Sequence, residues 1–245
     1  LVGRLLGNKR GVVRAGYMIG YDSFFNNITS NAKATTPNIL STTRPSSAAD
    51  GERGIANWSG HLPTQAREPS PLDGQTLVPG DMVNPYLQRW SVGMQRELPA
   101  NLLLDISYVG SKGTRLYVNE DLNPVVPENM RVVPSRWASW SEIPAAYRST
   151  RFDPLQGSRL TRTNGGDSNY HALQIEADRR FSRGLHFKAS YTWSKLIDNA
   201  SEVFGQASTN SPQNTMLPSM FGGLRIDRAV SMFDRTHRAV FSYLY

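Results

Sequence analysis

Three observations on the sequence predict an all-β fold, an antiparallel up-and-down meander of about six long strands. Apolar and polar residues alternate with a period of two in six places, and no long window has the spacing of an amphipathic helix. The alternating segments hold 11 to 16 residues, whereas ordinary strands hold about five or six. The connections between the segments are alternately long and short.

The strongest alternation lies in residues 185–194, where Leu185, Phe187 and Ala189 start an apolar series and His186 and Lys188 start a polar one. The other segments follow the same rule with a few exceptions. We therefore predict a single segment over 1–245 with strands at about 12–22, 86–98, 102–117, 169–181, 185–198 and 235–245.

Two connections, residues 99–101 and 182–184, are three-residue hairpin turns. The other three are long loops at 23–85, 118–168 and 199–234. In a meander this order places every long loop at one end and every short turn at the other, as in outer-membrane barrels. A tilted strand that crosses a bilayer needs about 9–11 residues, which these strands supply. A soluble β-sandwich is the alternative, because its strands alternate in the same way.

The composition narrows the function classes. There are 27 Lys and Arg against 20 Asp and Glu, a net charge of +7, and no Cys, which excludes a disulfide scaffold, a zinc ribbon and a thiol nucleophile. The mean hydropathy of −0.44 is compatible with a membrane barrel, because half of each barrel strand is polar. Aromatic residues on the outward face favour the membrane: Tyr17, Tyr21, Trp90, Tyr108, Tyr191, Trp193 and Tyr243.

Six strands do not close a barrel, since the smallest common membrane barrels have about eight. The strands at 12–22 and 235–245 would each leave an open edge, whose unpaired N–H and C=O groups are costly in lipid. We therefore expect the chain to be part of a larger transmembrane β-barrel, or to form an edge-paired barrel or tube with other copies.

Six runs of the sequence carry a family resemblance: 12–25 (VVRAGYMIGYDSFF), 84–99 (NPYLQRWSVGMQRELP), 103–114 (LLDISYVGSKGT), 169–193 (NYHALQIEADRRFSRGLHFKASYTW), 194–198 (SKLID) and 233–238 (FDRTHR). In combination they resemble TonB-dependent outer-membrane receptors of the Oar-like subgroup, which have an N-terminal carboxypeptidase-regulatory-like domain. The resemblance implies a barrel of about 22 strands with a plugged lumen, of which this chain is a part. It also implies a receptor that binds a large ligand outside the cell and imports it with energy from an inner-membrane TonB complex.

The sequence contains no nucleophile elbow, Walker loop, GxGxxG or HExxH motif. The histidines His61, His171, His186 and His237 are scattered and lack the spacing of a metal site or triad. We therefore expect no catalytic residues, no cofactor and no metal. A barrel enzyme, such as an outer-membrane protease or lipase, is a third hypothesis that would need catalytic groups clustered on the loops or rim.

Charged side chains on the lumenal face of the hairpin at 169–198 suggest an ion network among Glu176, Asp178, Arg180 and Lys188. The interpretation we favour is a wall of charges that solvates the lumen, with the network as the alternative.

The candidate ligand-contacting residues lie in the long loops, where Trp58, Trp137, Trp140, Arg148 and Arg151 combine aromatic rings with cations. Such clusters bind sugars or peptides, and at the outer surface they can contact lipopolysaccharide phosphates. The alternative is that the loop packs on itself around its tryptophans.

The leading hypothesis is thus a non-catalytic segment of a receptor in the bacterial outer membrane. Its partners would be membrane lipid and lipopolysaccharide, the rest of the barrel and plug, and a TonB energising complex, with no nucleic acid. The alternative is a structural, self-associating β protein, shed or assembled outside the cell, whose open edges pair into a homo-oligomeric tube or fibre.

Overall fold

In a computed structural model of the chain, the structure describes residues 2–3, 11–23, 26–39, 68–145, 150–182, 184–201, 215–216, 221–223 and 226–245. The chain folds as two compact units. The strand unit comprises residues 1–24, 79–121 and 161–245, and the loop unit comprises residues 25–78 and 122–160.

The described elements follow one another along the chain as β1 (Val2–Gly3), β2 (Gly11–Tyr21), α1 (Asn27–Lys33), β3 (Gln75–Leu77), β4 (Tyr86–Leu98), β5 (Leu102–Asp121), β6 (Arg159–Ser182), β7 (Leu185–Asp198), β8 (Thr215–Met216), β9 (Ala229–Val230) and β10 (His237–Leu244). Among the described residues, no helix has the length and apolar character needed to cross a membrane.

The long strands pair in sequence order, β2-β4-β5-β6-β7-β10, with β1 beyond β2. The pairs β2–β4, β4–β5, β6–β7 and β7–β10 run antiparallel. For example, β4 pairs with β5 from Tyr86 opposite Thr114 to Leu98 opposite Leu102. The short β8 pairs in parallel with β5, and β9 pairs with β7. The prediction of an all-β antiparallel meander is therefore confirmed.

The tight turn between β4 and β5 uses backbone of left-handed conformation, at Ala100 (φ 65°) and Asn101 (φ 57°). The turn between β6 and β7 has Gly184 at φ 80°. Left-handed residues let a short hairpin loop match the twist of its two strands. Glycine and asparagine adopt this conformation readily, whereas Ala100 does so at a cost of about 1–2 kcal/mol.

Two predicted strands are longer in the structure, and the loop between them is shorter. β5 continues to Asp121 rather than ending at 117, and β6 begins at Arg159 rather than at 169. Residues 159–168 include Asn164, Gly165 and Gly166, which by themselves indicate a turn. Their strand conformation depends on tertiary contacts: the Asn164 side chain donates to the carbonyls of Val83 and Arg115, at 2.8 and 2.9 Å.

The remaining strands start and end close to the predicted positions. β4 and β7 cover 86–98 and 185–198, while β2 covers 11–21 instead of 12–22. β10 begins at His237 instead of 235, because the segment before it forms a turn in which the Asp234 N–H donates to the Ser231 carbonyl. The long loops also contain α1, β3, β8 and β9.

Apolar burial is limited in both units. Among the described residues, the buried apolar side chains of the strand unit are Val109, Tyr117, Val118 and Ala172, and those of the loop unit are Val126, Ile143 and Pro154. Every residue of β10 is exposed. Large apolar side chains on the sheet are therefore left on a surface that needs another apolar environment to cover it.

Candidate functional surfaces

Strand pairing in the strand unit gives the sheet an apolar face. Residues directly opposite each other project on the same side, so Trp90, Val92 and Met94 of β4 share this face with Tyr108 and Ile106 of β5. On the next hairpin the same face carries Ala189, Tyr191 and Trp193 of β7 and, opposite them, Phe241, Ala239 and His237 of β10. Such a face is suited to contact with hydrocarbon.

The apolar face has the same order of residues in two hairpins. From the tight turn upward, β5 presents Leu102, Leu104, Ile106, Tyr108, Gly110 and Lys112, and β7 presents Leu185, Phe187, Ala189, Tyr191, Trp193 and Lys195. In β5 the glycine is covered by the indole of Trp90. Each series starts with leucine, has tyrosine at its seventh residue and ends in lysine at its eleventh, although β7 also has an aromatic residue, Phe187, at its third. A tilted strand of that length rises about 25 Å, the height of the apolar band on a membrane barrel.

Two tyrosine–histidine pairs lie at the aromatic level of this face. The Tyr108 hydroxyl is hydrogen-bonded to His171 Nδ1 at 2.6 Å, and the Tyr191 hydroxyl to His237 Nδ1 at 2.8 Å. The rings of each pair stack, with centroids 6.1 and 6.2 Å apart. Amphipathic rings with a satisfied polar end are typical of a membrane interface. His171 and His237, scattered in the sequence, are therefore partners of interface tyrosines.

The opposite face, the polar face, carries an ion network on the β6–β7 hairpin. Lys188 Nζ lies 2.7 Å from Glu176 Oε1, and His186 Nε2 lies 3.2 Å from Asp178 Oδ1. Lys188 is also directly opposite Asp178. Of the four residues considered for a network, Glu176 and Lys188 form an ion pair and Asp178 pairs with His186 instead, whereas the side chain of Arg180 lies outside the described residues. These groups are solvent-accessible, so each pair contributes little stability.

The polar face of β2, β4 and β5 forms a cavity of about 240 Å³. Arg14, Arg89 and Asp105 supply its charges, and Arg14 donates to Gln95 Oε1 at 3.0 Å. The rest of the lining is Ser91, Gly93, Ser107 and Val109. A lining of this kind suits contact with water or with a polar surface inside a barrel.

The loop unit brings two of the predicted ligand-contacting tryptophans under arginine side chains. The Arg136 guanidinium lies 3.9 Å from the ring centre of Trp137, and that of Arg131 lies 4.9 Å from Trp140. Both indoles are half-buried. Cation–π pairs of this kind hold planar surfaces in fixed positions.

Of the other predicted ligand-contacting residues, the structure describes Arg151 alone. Arg151 donates to the backbone carbonyl of Asn123 at 2.7 Å. Trp58 and Arg148 lie outside the described residues. The arginines that cover the tryptophans, Arg131 and Arg136, are loop arginines close to Trp137 and Trp140 in the sequence.

Asn123 joins two parts of the loop unit, the backbone that follows β5 and the segment from Asp153 to Gly157. The two N–H groups of its side-chain amide share three acceptors, the carbonyls of Asp153, Gln156 and Gly157 at 3.1, 2.9 and 2.9 Å, and its oxygen accepts from the Asp153 N–H at 2.7 Å. Asn123 is 3% exposed. A single asparagine in a loop carries no sequence signal, since its partners lie about 30 residues away.

No group of three or more His, Asp or Glu side chains in the described part of the chain could hold a metal ion.

Comparison with known proteins gives one family. The family model for the outer membrane beta barrel domain matches residues 5–245 of this chain. A search of the curated proteins found no match. Among solved structures, the chain is similar to the outer membrane transporter YddB from Escherichia coli, with 13% sequence identity and a TM-score of 0.42. That similarity covers 79% of this chain and 19% of the transporter, so the chain spans about a fifth of the transporter's length.

Proposed function

The chain belongs to the family of outer membrane beta barrel domains, and on that premise we propose that it is part of the wall of a TonB-dependent receptor of the Oar-like subgroup. The family places the protein in the bacterial outer membrane. In this proposal the apolar face contacts lipid and the polar face lines a lumen that holds a plug. The receptor binds a large ligand outside the cell and imports it by mechanical opening, without catalysis.

The repeated series on β5 and β7 is the observation that best supports a membrane wall. Leu102 to Lys112 and Leu185 to Lys195 both begin with leucine, have tyrosine at the seventh residue and end in lysine at the eleventh. The adjacent polar residues project to the other side, where Asp178 and Lys188 face each other. A soluble sandwich would bury its apolar face against a second sheet, and a band that ends in aromatic residues and lysines is better explained by a lipid boundary.

Ligand recognition is assigned in this proposal to the long loops. The pairs Arg136–Trp137 and Arg131–Trp140 provide aromatic and cationic surfaces on one short segment. The hydrogen bonds of Asn123 hold the backbone of Gln156 and Gly157 in place in the same loop unit. Ordered aromatic groups bind with a smaller loss of conformational entropy than mobile ones.

The test is an uptake assay in intact cells that produce the full-length protein, with or without a functional TonB. The probes are fluorescently labelled oligosaccharides, labelled peptides and ferric chelates. We expect one probe class to accumulate only when both the protein and TonB are present. In the Trp137→Ala/Trp140→Ala variant that accumulation should fall by about tenfold or more. Val133→Ala, an exposed change in the same segment, is the matched control.

Two results would contradict import by an energised receptor. One is passage of the probes that depends on the protein and is unchanged without TonB, which indicates an open pore. The other is that no probe class depends on the protein at all.

An open edge favours a second candidate function. Among the described residues, β10 pairs only with β7, and its other edge has eight exposed residues. Such an edge can pair with the next strand of a barrel or with another copy of the chain, which would produce a tube or fibre. Electron microscopy of the secreted fraction without detergent separates the two: filaments favour assembly, and particles that require detergent favour the receptor.

A further inference from the structure

A cluster of charged side chains lies on the apolar face just above its aromatic level. Asp167 of β6 accepts from Lys112 Nζ at 2.6 Å through one carboxylate oxygen and from Arg228 at 2.8 Å through the other. On this face Lys112 is the next residue of β5 after Gly110, which is covered by the indole of Trp90. The cluster thus begins where the aromatic level ends.

The cluster has a net positive charge and donors that remain available. Two cations share one carboxylate, so +2 and −1 give +1. The side chains of Lys112 and Arg228 are each 38% exposed. Lys112 Nζ also donates to Asn169 Oδ1 at 3.4 Å, and each cation still has N–H groups beyond those it uses here. Burial opposes ionisation of Asp167, but the hydrogen bonds and charges of Lys112 and Arg228 outweigh it and lower its pKa. The carboxylate therefore stays ionised and holds the two cations side by side.

The neighbouring hairpin repeats the arrangement with Lys195, which follows Trp193 on the same face. Its Nζ lies 3.5 Å from Asp234 Oδ2, and its side chain is 47% exposed. A cation therefore lies directly above the aromatic level on both β5 and β7. Cations at such a boundary attract anionic head groups.

We propose that Lys112, Arg228 and Lys195 bind the phosphate groups of lipopolysaccharide in the outer leaflet. The position selects a lipid as the occupant, because the cations continue the face that contacts acyl chains and a phosphate at the base of a glycolipid lies at that level. Lysine and arginine side by side can donate to different oxygens of one phosphate. This inference depends on the chain's place in the outer membrane and does not require ligand import.

The test measures binding of lipopolysaccharide to the full-length protein in detergent by native mass spectrometry. The wild type should bind lipopolysaccharide at least about tenfold more tightly than its dephosphorylated form. Lys112→Gln/Arg228→Gln should lose about tenfold in affinity for the phosphorylated form only. Lys188→Gln on the polar face removes the same charge from β7 and should bind as the wild type does.

Two further variants keep the result decisive if the double variant does not fold. Lys195→Gln leaves Asp167 and its partners untouched, and it should still weaken binding of the phosphorylated form. Lys112→Gln/Asp167→Asn/Arg228→Gln removes the ion cluster without leaving an unpaired carboxylate. Equal affinity for phosphorylated and dephosphorylated lipid would overturn the proposal, as would unchanged affinity in these variants. Displacement of the lipid by inorganic phosphate at equal phosphate concentration would overturn the choice of a lipid as the occupant.

Discussion

Replacing Gly110 by alanine should destabilise the strand unit, because the indole of Trp90 occupies the space where a side chain would go. A Cβ atom built on Gly110 would lie 2.5 Å from Cζ2 of Trp90, and Cε2 and Nε1 are closer still. The two residues are directly opposite each other on β4 and β5. The ring therefore covers the backbone of the glycine, and the two cannot both stay in place once a methyl group is added.

The size of the effect follows from this distance. Carbon atoms in favourable contact are about 3.5–4.0 Å apart, so the indole must move by at least about 1 Å. Forcing a larger side chain into a packed position typically costs about 1–3 kcal/mol. Trp90 also lies near His171, with ring centres 6.1 Å apart, so displacement of the indole should disturb the Tyr108–His171 pair as well. We expect Gly110→Ala to lower the free energy of unfolding by about 2 kcal/mol.

The assay is urea unfolding of the full-length protein in lipid vesicles, followed by tryptophan fluorescence. Gly16→Ala is the matched control, since a Cβ atom there would lie 3.6 Å from Ser91 Oγ, an ordinary contact. The control should be neutral or slightly stabilising, because glycine weakens strand interiors. In a Trp90→Ala background, Gly110→Ala should cost almost nothing, since the clashing ring is gone.

Two outcomes would refute this reasoning. Gly110→Ala with the stability of Gly16→Ala would mean that the indole does not cover the glycine. An equal cost of Gly110→Ala with and without Trp90 would mean that the loss has another origin.

The remaining predictions concern the two faces, the loop unit and the ionised cluster. Ala189 projects to the apolar face and Ser190 to the polar face. Ala189→Arg should therefore lower the free energy of unfolding in vesicles by about 2–4 kcal/mol, whereas Ser190→Arg should lower it by less than about 0.5 kcal/mol. Equal losses would contradict the assignment of the faces. Asn123→Ala removes the side-chain hydrogen bonds to Asp153, Gln156 and Gly157 and should raise amide exchange of residues 150–160, measured by mass spectrometry, without changing that of β7. Unchanged exchange would contradict a role in ordering the loop. Because the pKa of Asp167 is lower in the folded protein, its stabilising contribution should be present at neutral pH and be lost as the pH falls below about 4. The stability difference from Asp167→Asn should therefore vanish in acid, and a difference that stays constant with pH would contradict the ion cluster.

Much of the fold could be predicted from the sequence because alternation is a local property. Leu185 to Asp198 alternates almost without exception, and β7 covers those residues. The start of β6 could not be predicted, because Gly165 and Gly166 by themselves indicate a turn. The hydrogen bonds from the Asn164 side chain to the carbonyls of Val83 and Arg115 appear only in the tertiary structure. The tryptophans of the candidate ligand surface were found as loop aromatics, but their arginine partners depend on the conformation of the loop.

The sequence by itself determined which residues of each strand project to opposite faces and where the chain makes its tight turns. It determined them because side-chain direction in a strand alternates from residue to residue, and because short turns depend on few residues. Only the tertiary structure decided which side chains meet across strands. Tyr108 and His171 are 63 residues apart, and Asp167 is 55 residues from Lys112 and 61 from Arg228. Those contacts depend on the register between strands, because a shift of one residue would move every side chain of a strand to the other face.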